Sequence, residues 1–135
     1  MKDITVKSTI ENIEIVTEFV EQQLEATDCP MKAQMLIAIA IDEIFSNIAH
    51  YAYTPEVGDV TVSVKVSETP GFIAITFSDS GVPYNPLEQE DPDTELSAED
   101  RKIGGLGVFI TKNIIDEADY IYEDGRNKLT IKKNF

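Results

Sequence analysis

A chain of 135 residues fits a single domain, residues 1–135, with enough length to bury a sizeable core. The 25 acidic residues outnumber the 11 basic ones and give a formal net charge of −14, a field that argues against direct binding to nucleic acid or to an anionic membrane. Cys29 is the only cysteine, which excludes an internal disulfide, and the lack of a signal-peptide pattern or a membrane-length apolar run predicts a cytoplasmic protein.

Hydrophobic periodicity predicts a strand and two helices in the first part of the chain. Residues 3–8 alternate as in a short strand, and apolar residues then recur at helical spacing up to about Asp28. Pro30 suits the first turn of a second helix, which is expected to continue to Ala52. The first half of this helix is apolar on nearly all sides, which indicates a helix that the rest of the protein covers.

A hairpin is predicted next, because residues 59–68 and 72–79 alternate on either side of a Pro-Gly turn. Residues 81–103 are acidic and poor in apolar side chains, which is typical of a long functional or disordered loop. Residues 104–118 have the periodicity of a helix that opens on glycines, and two strands joined at residues 124–125 follow. The fold predicted is α+β, a two-layer sandwich with about three helices covering one face of a mostly antiparallel mixed sheet.

A polar stripe interrupts the apolar second helix. Glu43 and Asn47 are four residues apart and lie on one helical face, which His50 extends. Such a stripe must pair internally or face a cavity. The spacing also fits a simple i,i+4 hydrogen bond at an exposed helix end, and Asp42 and Ser46 have the same spacing. His50 by itself is typical of a hydrogen-bonded structural histidine.

Two further signals are weak when taken singly. Asp79 ends a strand before a glycine turn, where a binding carboxylate or an ordinary turn starter is equally common. Residues 104–107, Gly-Gly-Leu-Gly, precede a helical pattern and suit either a phosphate-binding helix N-terminus or a hinge. Arg101 and Lys102 flank these glycines and could meet phosphate charge.

In combination and order, these three signals resemble the N, G1 and G2 boxes of the GHKL ATPases, the superfamily of the Bergerat ATP-binding fold. The resemblance covers about residues 38–131. The stretches "DSGVPYNP" and "GGLGVFITKNIIDE" are similar to one branch, the bacterial anti-sigma factor serine/threonine kinases. Tyr84 stands where that branch usually has phenylalanine, another flat aromatic residue.

The resemblance implies roles for five residues around a bound ATP. Glu43 is implied as the general base that takes the proton of the attacking hydroxyl, and Asn47 as a ligand of Mg²⁺, a hard cation that prefers oxygen. Asp79 would accept a hydrogen bond from the adenine amino group. Gly81 would let adenine pack close to the backbone, with Asn85 nearby.

For the other end of the nucleotide, the resemblance implies that Gly105 and Gly107 hold the phosphates. Arg101 and Lys102 then belong to the same cofactor-binding region. The acidic segment before the glycines corresponds to a lid in this superfamily.

The function implied is a Mg-ATP-dependent kinase that phosphorylates a serine on an anti-anti-sigma (STAS) protein and sequesters a sigma factor. A homodimer is usual in this branch. A histidine kinase needs an additional helical hairpin, and gyrase and MutL need a second domain, so the length favours the anti-sigma type. Two alternatives stay open: an ATP-binding partner-switching module without kinase activity, and a non-nucleotide interaction domain whose motif matches are accidental.

Overall fold

The computed structural model describes residues 1–88 and 114–135. Within them, two helices and five strands follow in the order β1 (Lys2–Lys7), α1 (Ile13–Leu24), α2 (Met31–Tyr51), β2 (Asp59–Glu68), β3 (Gly71–Asp79), β4 (Glu117–Glu123) and β5 (Arg126–Asn134). Single-turn 3-10 helices lie at Ile10–Asn12 and Pro86–Glu88.

The strands form one open sheet in the order β1-β2-β3-β5-β4, and each of the four pairings in the described part is antiparallel. The predicted α+β class is confirmed. The β4–β5 turn is the predicted Asp124-Gly125, where both residues have positive φ, as a tight hairpin turn requires.

Two predicted boundaries were wrong. Helix α1 ends at Leu24 rather than near Asp28, because the amide and hydroxyl of Thr27 both donate to the Leu24 carbonyl and turn the chain. The predicted helix over residues 104–118 cannot reach its last two residues, since Glu117 and Ala118 belong to β4. The part of this third helix before Ile114 lies outside the described residues.

The core lies between helix α2 and the inner face of the sheet. Alternate residues of three strands are buried there, as a sheet with one covered face requires, while Thr76 and Thr130 hydrogen-bond to each other on the opposite face. Helix α2 contributes the fully buried Phe45 to this core, and helix α1 adds the buried Val16, Val20 and Leu24. The buried strand residues are Val60, Val62, Val64, Ile73, Ile75, Phe77, Leu129 and Ile131.

The loop after β3 is fastened to the C-terminal end of α2. The Val82 amide donates to the Ala52 carbonyl at 3.0 Å, and the Ser80 amide donates to the Tyr53 hydroxyl at 2.7 Å. The Tyr53 hydroxyl in turn donates to the Asp59 carbonyl at 2.7 Å. These hydrogen bonds hold the end of β3 against the C-terminal end of α2, and a pocket opens between the two.

Candidate functional site

The pocket lies between the second half of α2 and the inner face of β3, β4 and β5. Its volume is about 710 Å³, a figure that includes the open solvent at its mouth. Its wall is mainly apolar, and three buried polar side chains interrupt it. Among the lining residues are Ile44, Ile48, Phe77, Leu129, Tyr51, Tyr84 and Tyr120, with Asn47, Asp79 and Asn127 as the buried polar ones.

Asp79 lines this pocket, and within the described residues its carboxylate is hydrogen-bonded through one oxygen. Its side chain is only 4% exposed. One oxygen, Oδ1, accepts from the Gly81 amide at 2.9 Å and from Asn127 Nδ2 at 3.0 Å. The other, Oδ2, has no hydrogen-bond partner among residues 1–88 and 114–135. Because buried polar atoms are rarely left unpaired, this oxygen is suited to accept a hydrogen bond from a ligand.

Asn47 faces the same pocket from α2. It is 8% exposed, and its side-chain amide makes no hydrogen bond within the described part of the chain. The alternative of an i,i+4 hydrogen bond between Glu43 and Asn47 is therefore not found there. Glu43, one helical turn earlier, is half-buried and lies outside the residues that line the pocket.

His50 does not belong to the pocket, although it continues the polar stripe of α2 in the sequence. Its ring is exposed, and Nδ1 lies 2.7 Å from the Ser46 carbonyl oxygen of the same helix. The interpretation of His50 as a hydrogen-bonded structural histidine agrees with this geometry.

Gly81 and Asn85 have structural partners of their own. A Cβ on Gly81 would overlap the carbonyl group of Ala52, so only glycine lets the loop approach α2 this closely. Asn85 Oδ1 accepts from the Leu87 amide at 2.9 Å and caps the short helix there, and Asn85 is not a lining residue. Their roles toward adenine stay predictions.

Tyr84 and Tyr51 form an aromatic edge of the pocket, with ring centroids 6.4 Å apart. Burial, and then the neighbouring Tyr51, raise the pKa of Tyr84 above its ordinary value. The phenol of Tyr84 is therefore neutral at physiological pH and adds no negative charge to the site.

Asn127 is the polar residue that the sequence analysis missed. It is 6% exposed and stands opposite Asp79 in the register of β3 and β5. Besides its bond to Asp79, it contacts the loop that follows β3. The sequence pattern that could have indicated its burial is the alternation along β5, because Asn127 lies on the same face of the strand as the buried Leu129 and Ile131.

The predicted phosphate-binding half of the site cannot be compared with the structure. Arg101, Lys102, Gly105, Gly107 and the acidic segment implied as a lid all fall within residues 89–113, apart from Glu88, outside the described part. The described residues include Asn47 and the half of the predicted site that would bind the base of the nucleotide.

With this geometry established, the class of protein follows from comparison with known families. The chain belongs to the histidine kinase-like ATPase domain family, which matches residues 6–133. The predicted resemblance to this superfamily is thereby confirmed.

In the described part, no helix combines the length and hydropathy of a membrane span.

Among individual relatives, the serine/threonine-protein kinase BtrW of Bordetella bronchiseptica is 24% identical over 100 residues, which are 74% of this chain and 70% of BtrW. The serine-protein kinase RsbW of Listeria innocua is 29% identical over 94 residues, 66% of this chain and 59% of RsbW. The chain thus spans less than two thirds of the RsbW length.

Two solved structures share the fold. The RsbU and RsbW domains of a Mycobacterium tuberculosis protein superpose with a TM-score of 0.64 at 14% identity, over 98% of this chain and 32% of that one. The SiaB-SiaC complex from Pseudomonas aeruginosa superposes with a TM-score of 0.60 at 17% identity, over 98% and 89% of the two chains. At these identities the likeness establishes the fold.

Proposed function

We propose that this protein is a Mg-ATP-dependent serine/threonine kinase of the anti-sigma factor type, which phosphorylates an anti-anti-sigma (STAS) protein and sequesters a sigma factor in the cytoplasm. The family is that of the histidine kinase-like ATPases, and the curated relatives are named as serine or serine/threonine kinases. The order of its sequence motifs resembles the anti-sigma branch.

The observation that carries the proposal is a pair of polar groups on one mainly apolar pocket, Asp79 Oδ2 and the Asn47 amide, that have no hydrogen-bond partner among residues 1–88 and 114–135. The Oδ2 atom of Asp79 suits the exocyclic amino group of adenine, which donates hydrogen bonds. Guanine carries a carbonyl oxygen at that position and would meet the carboxylate with a second acceptor. The mainly apolar walls suit a purine ring.

The spacing of three residues along α2 supports the binding of a nucleotide in an extended conformation. Ala52, beside the Asp79 loop, is five residues from Asn47, which corresponds to about 7 Å along the helix axis. Glu43 follows about 6 Å further on. The helix therefore offers a base-binding end, a polar ligand in the middle and a carboxylate beyond it, in the order of adenine, phosphates and attacking hydroxyl.

Magnesium fits the residues present, as a metal held mainly by the nucleotide. The described residues contain no group of three or more His, Cys, Asp or Glu side chains that could hold a metal. Mg²⁺ commonly takes one or two protein oxygens and several phosphate and water oxygens, and the amide oxygen of Asn47, which has no hydrogen-bond partner in the described part of the chain, suits that role. Bound there, the ion would offset phosphate charge during transfer.

Glu43 would act on the acceptor rather than on the nucleotide. In this proposal its carboxylate accepts the proton of the partner's serine hydroxyl as that oxygen attacks the terminal phosphate. Its half-buried position, without an ion-pair partner among the described residues, leaves the carboxylate available for this proton.

The test combines binding and transfer. Calorimetry should detect Mg-ATP binding and a much weaker response to Mg-GTP. Single-turnover assays with labelled ATP should then transfer phosphate to a STAS protein of the same genome, identified by co-purification with ATP and with ADP. Absence of nucleotide binding would refute the whole proposal, whereas ATP binding without transfer to any STAS partner would leave a partner-switching module without kinase activity.

A further inference from the structure

We infer that Asn127 is a positioning residue that sets the base preference of the pocket by fixing the carboxylate of Asp79. This inference rests on the proposed nucleotide binding and deepens it. The motif resemblance assigned no role to Asn127, because its place is revealed by strand pairing rather than by sequence spacing.

Every polar atom of the Asn127 side chain is in use. Nδ2 donates to Asp79 Oδ1 at 3.0 Å and to the Val82 carbonyl at 2.9 Å, with a longer contact of 3.4 Å to the Gly81 carbonyl. Oδ1 accepts from the Tyr84 amide at 3.1 Å and from the Tyr120 hydroxyl. One side chain thus joins β5, β4, the end of β3 and the loop that lines the pocket.

The orientation of the amide is fixed by these partners. A flipped side chain would turn its oxygen toward three acceptors and its amino group toward the amide hydrogen of Tyr84. Only an amide satisfies both sets of partners, because it combines two donor hydrogens with an acceptor oxygen at this length.

The consequence for Asp79 is that Oδ1 is held by two donors, while Oδ2 is left without a hydrogen-bond partner among the described residues on a side chain that lines the pocket. Without Asn127, the Gly81 amide would be the one remaining donor to the carboxylate among the described residues, and the carboxylate could rotate about its terminal bond. The loop would also lose its links at Val82 and Tyr84. An acceptor that is no longer fixed discriminates less between an amino group and a carbonyl on the bound base.

The experiment compares ATP and GTP affinities, with Mg²⁺, for the full chain and its variants. In Asn127→Ala, the preference for ATP over GTP should fall about tenfold or more, the order expected for losing a fixed hydrogen bond to a charged group. Asn134→Ala, on the same strand with an exposed side chain, is the matched control and should keep the wild-type ratio.

A second variant covers the case in which Asn127→Ala does not fold. Asn127→Asp keeps the shape and the acceptor for Tyr84 and Tyr120, but it replaces the donor amide by a second carboxylate oxygen beside Asp79. Two carboxylates at this distance repel or share a proton, so the ATP preference should fall further than in Asn127→Ala.

The double variant separates positioning from a merely structural role. If Asn127 acts through the Asp79 carboxylate, adding Asn127→Ala to Asp79→Ala, which leaves no polar group at position 79 to be positioned, should change the ATP-to-GTP ratio by less than about twofold. A folded Asn127 variant that loses affinity for both nucleotides equally, with the ratio intact, overturns the inference. Wild-type protein that binds ATP selectively but transfers no phosphate would remove the kinase proposal and leave this inference standing.

Discussion

Replacing Asp79 by asparagine exchanges one carboxylate oxygen for an amino group on a side chain that lines the pocket. The new side chain must keep its oxygen on the Gly81 amide and on Asn127 Nδ2, because its amino group would clash electrostatically with both donors. The amino group therefore takes the place of Oδ2. A hydrogen-bond acceptor in the pocket becomes a donor, while the local fold keeps its partners.

The size of the effect follows from the kind of bond that is lost. A hydrogen bond to a charged group contributes about 1.5–3 kcal/mol, so ATP affinity should fall roughly ten- to hundredfold. The new amino group can donate to a guanine carbonyl oxygen, so GTP affinity should fall less or increase. The ATP-to-GTP ratio is accordingly the more sensitive quantity.

Titration calorimetry with both nucleotides measures this ratio, and circular dichroism checks that the variant is folded. The control is Asp119→Asn, which removes the same charge from an exposed position of β4. Unchanged ATP affinity in folded Asp79→Asn would show that the carboxylate does not bind the base, and an equal loss in the control would indicate a general charge effect.

Three further variants test other parts of the site. Glu43→Ala should keep ATP affinity within a few-fold and lose about 10²–10⁴ in single-turnover phosphotransfer, because a general base contributes in the transition state; transfer at the wild-type rate would exclude Glu43 as the base. Asn47→Ala should weaken Mg-ATP binding as well as transfer, and equal ATP affinity with and without the side chain would exclude a metal-ligand role. Gly81→Ala should lower the free energy of unfolding by about 1–3 kcal/mol, because its Cβ overlaps the backbone of Ala52; a denaturant midpoint equal to that of the wild type would contradict the close packing.

The sequence predicted the strands well, because each has one covered face and alternates accordingly. The prediction from sequence was wrong where an apolar pattern fits both a helix and a strand. Glu117 and Ala118 follow apolar residues that fit a helix as well as a strand, and only pairing with Lys132 and Ile131 of β5 decides between them.

For the site, the motifs singled out Asn47 and Asp79, which both line the pocket, and their roles toward a nucleotide stay predictions. The network around them could not be predicted. The position of Asn127 beside Asp79 depends on the pairing of β3 with β5 across 48 residues of sequence. The packing of Gly81 on Ala52 likewise depends on where a helix ends relative to a loop. Both are tertiary contacts, which local periodicity does not encode.

The pairing of β3 with β5 also has a consequence for how the molecule assembles. The β2–β3 and β4–β5 hairpins close over short stretches of chain, but their junction brings together groups 48 residues apart and carries a larger loop-closure entropy. Asp79 and Asn127 meet only at that junction. The pocket therefore exists only once this long-range pairing has formed, and any ligand that binds there stabilises the joined hairpins by mass action.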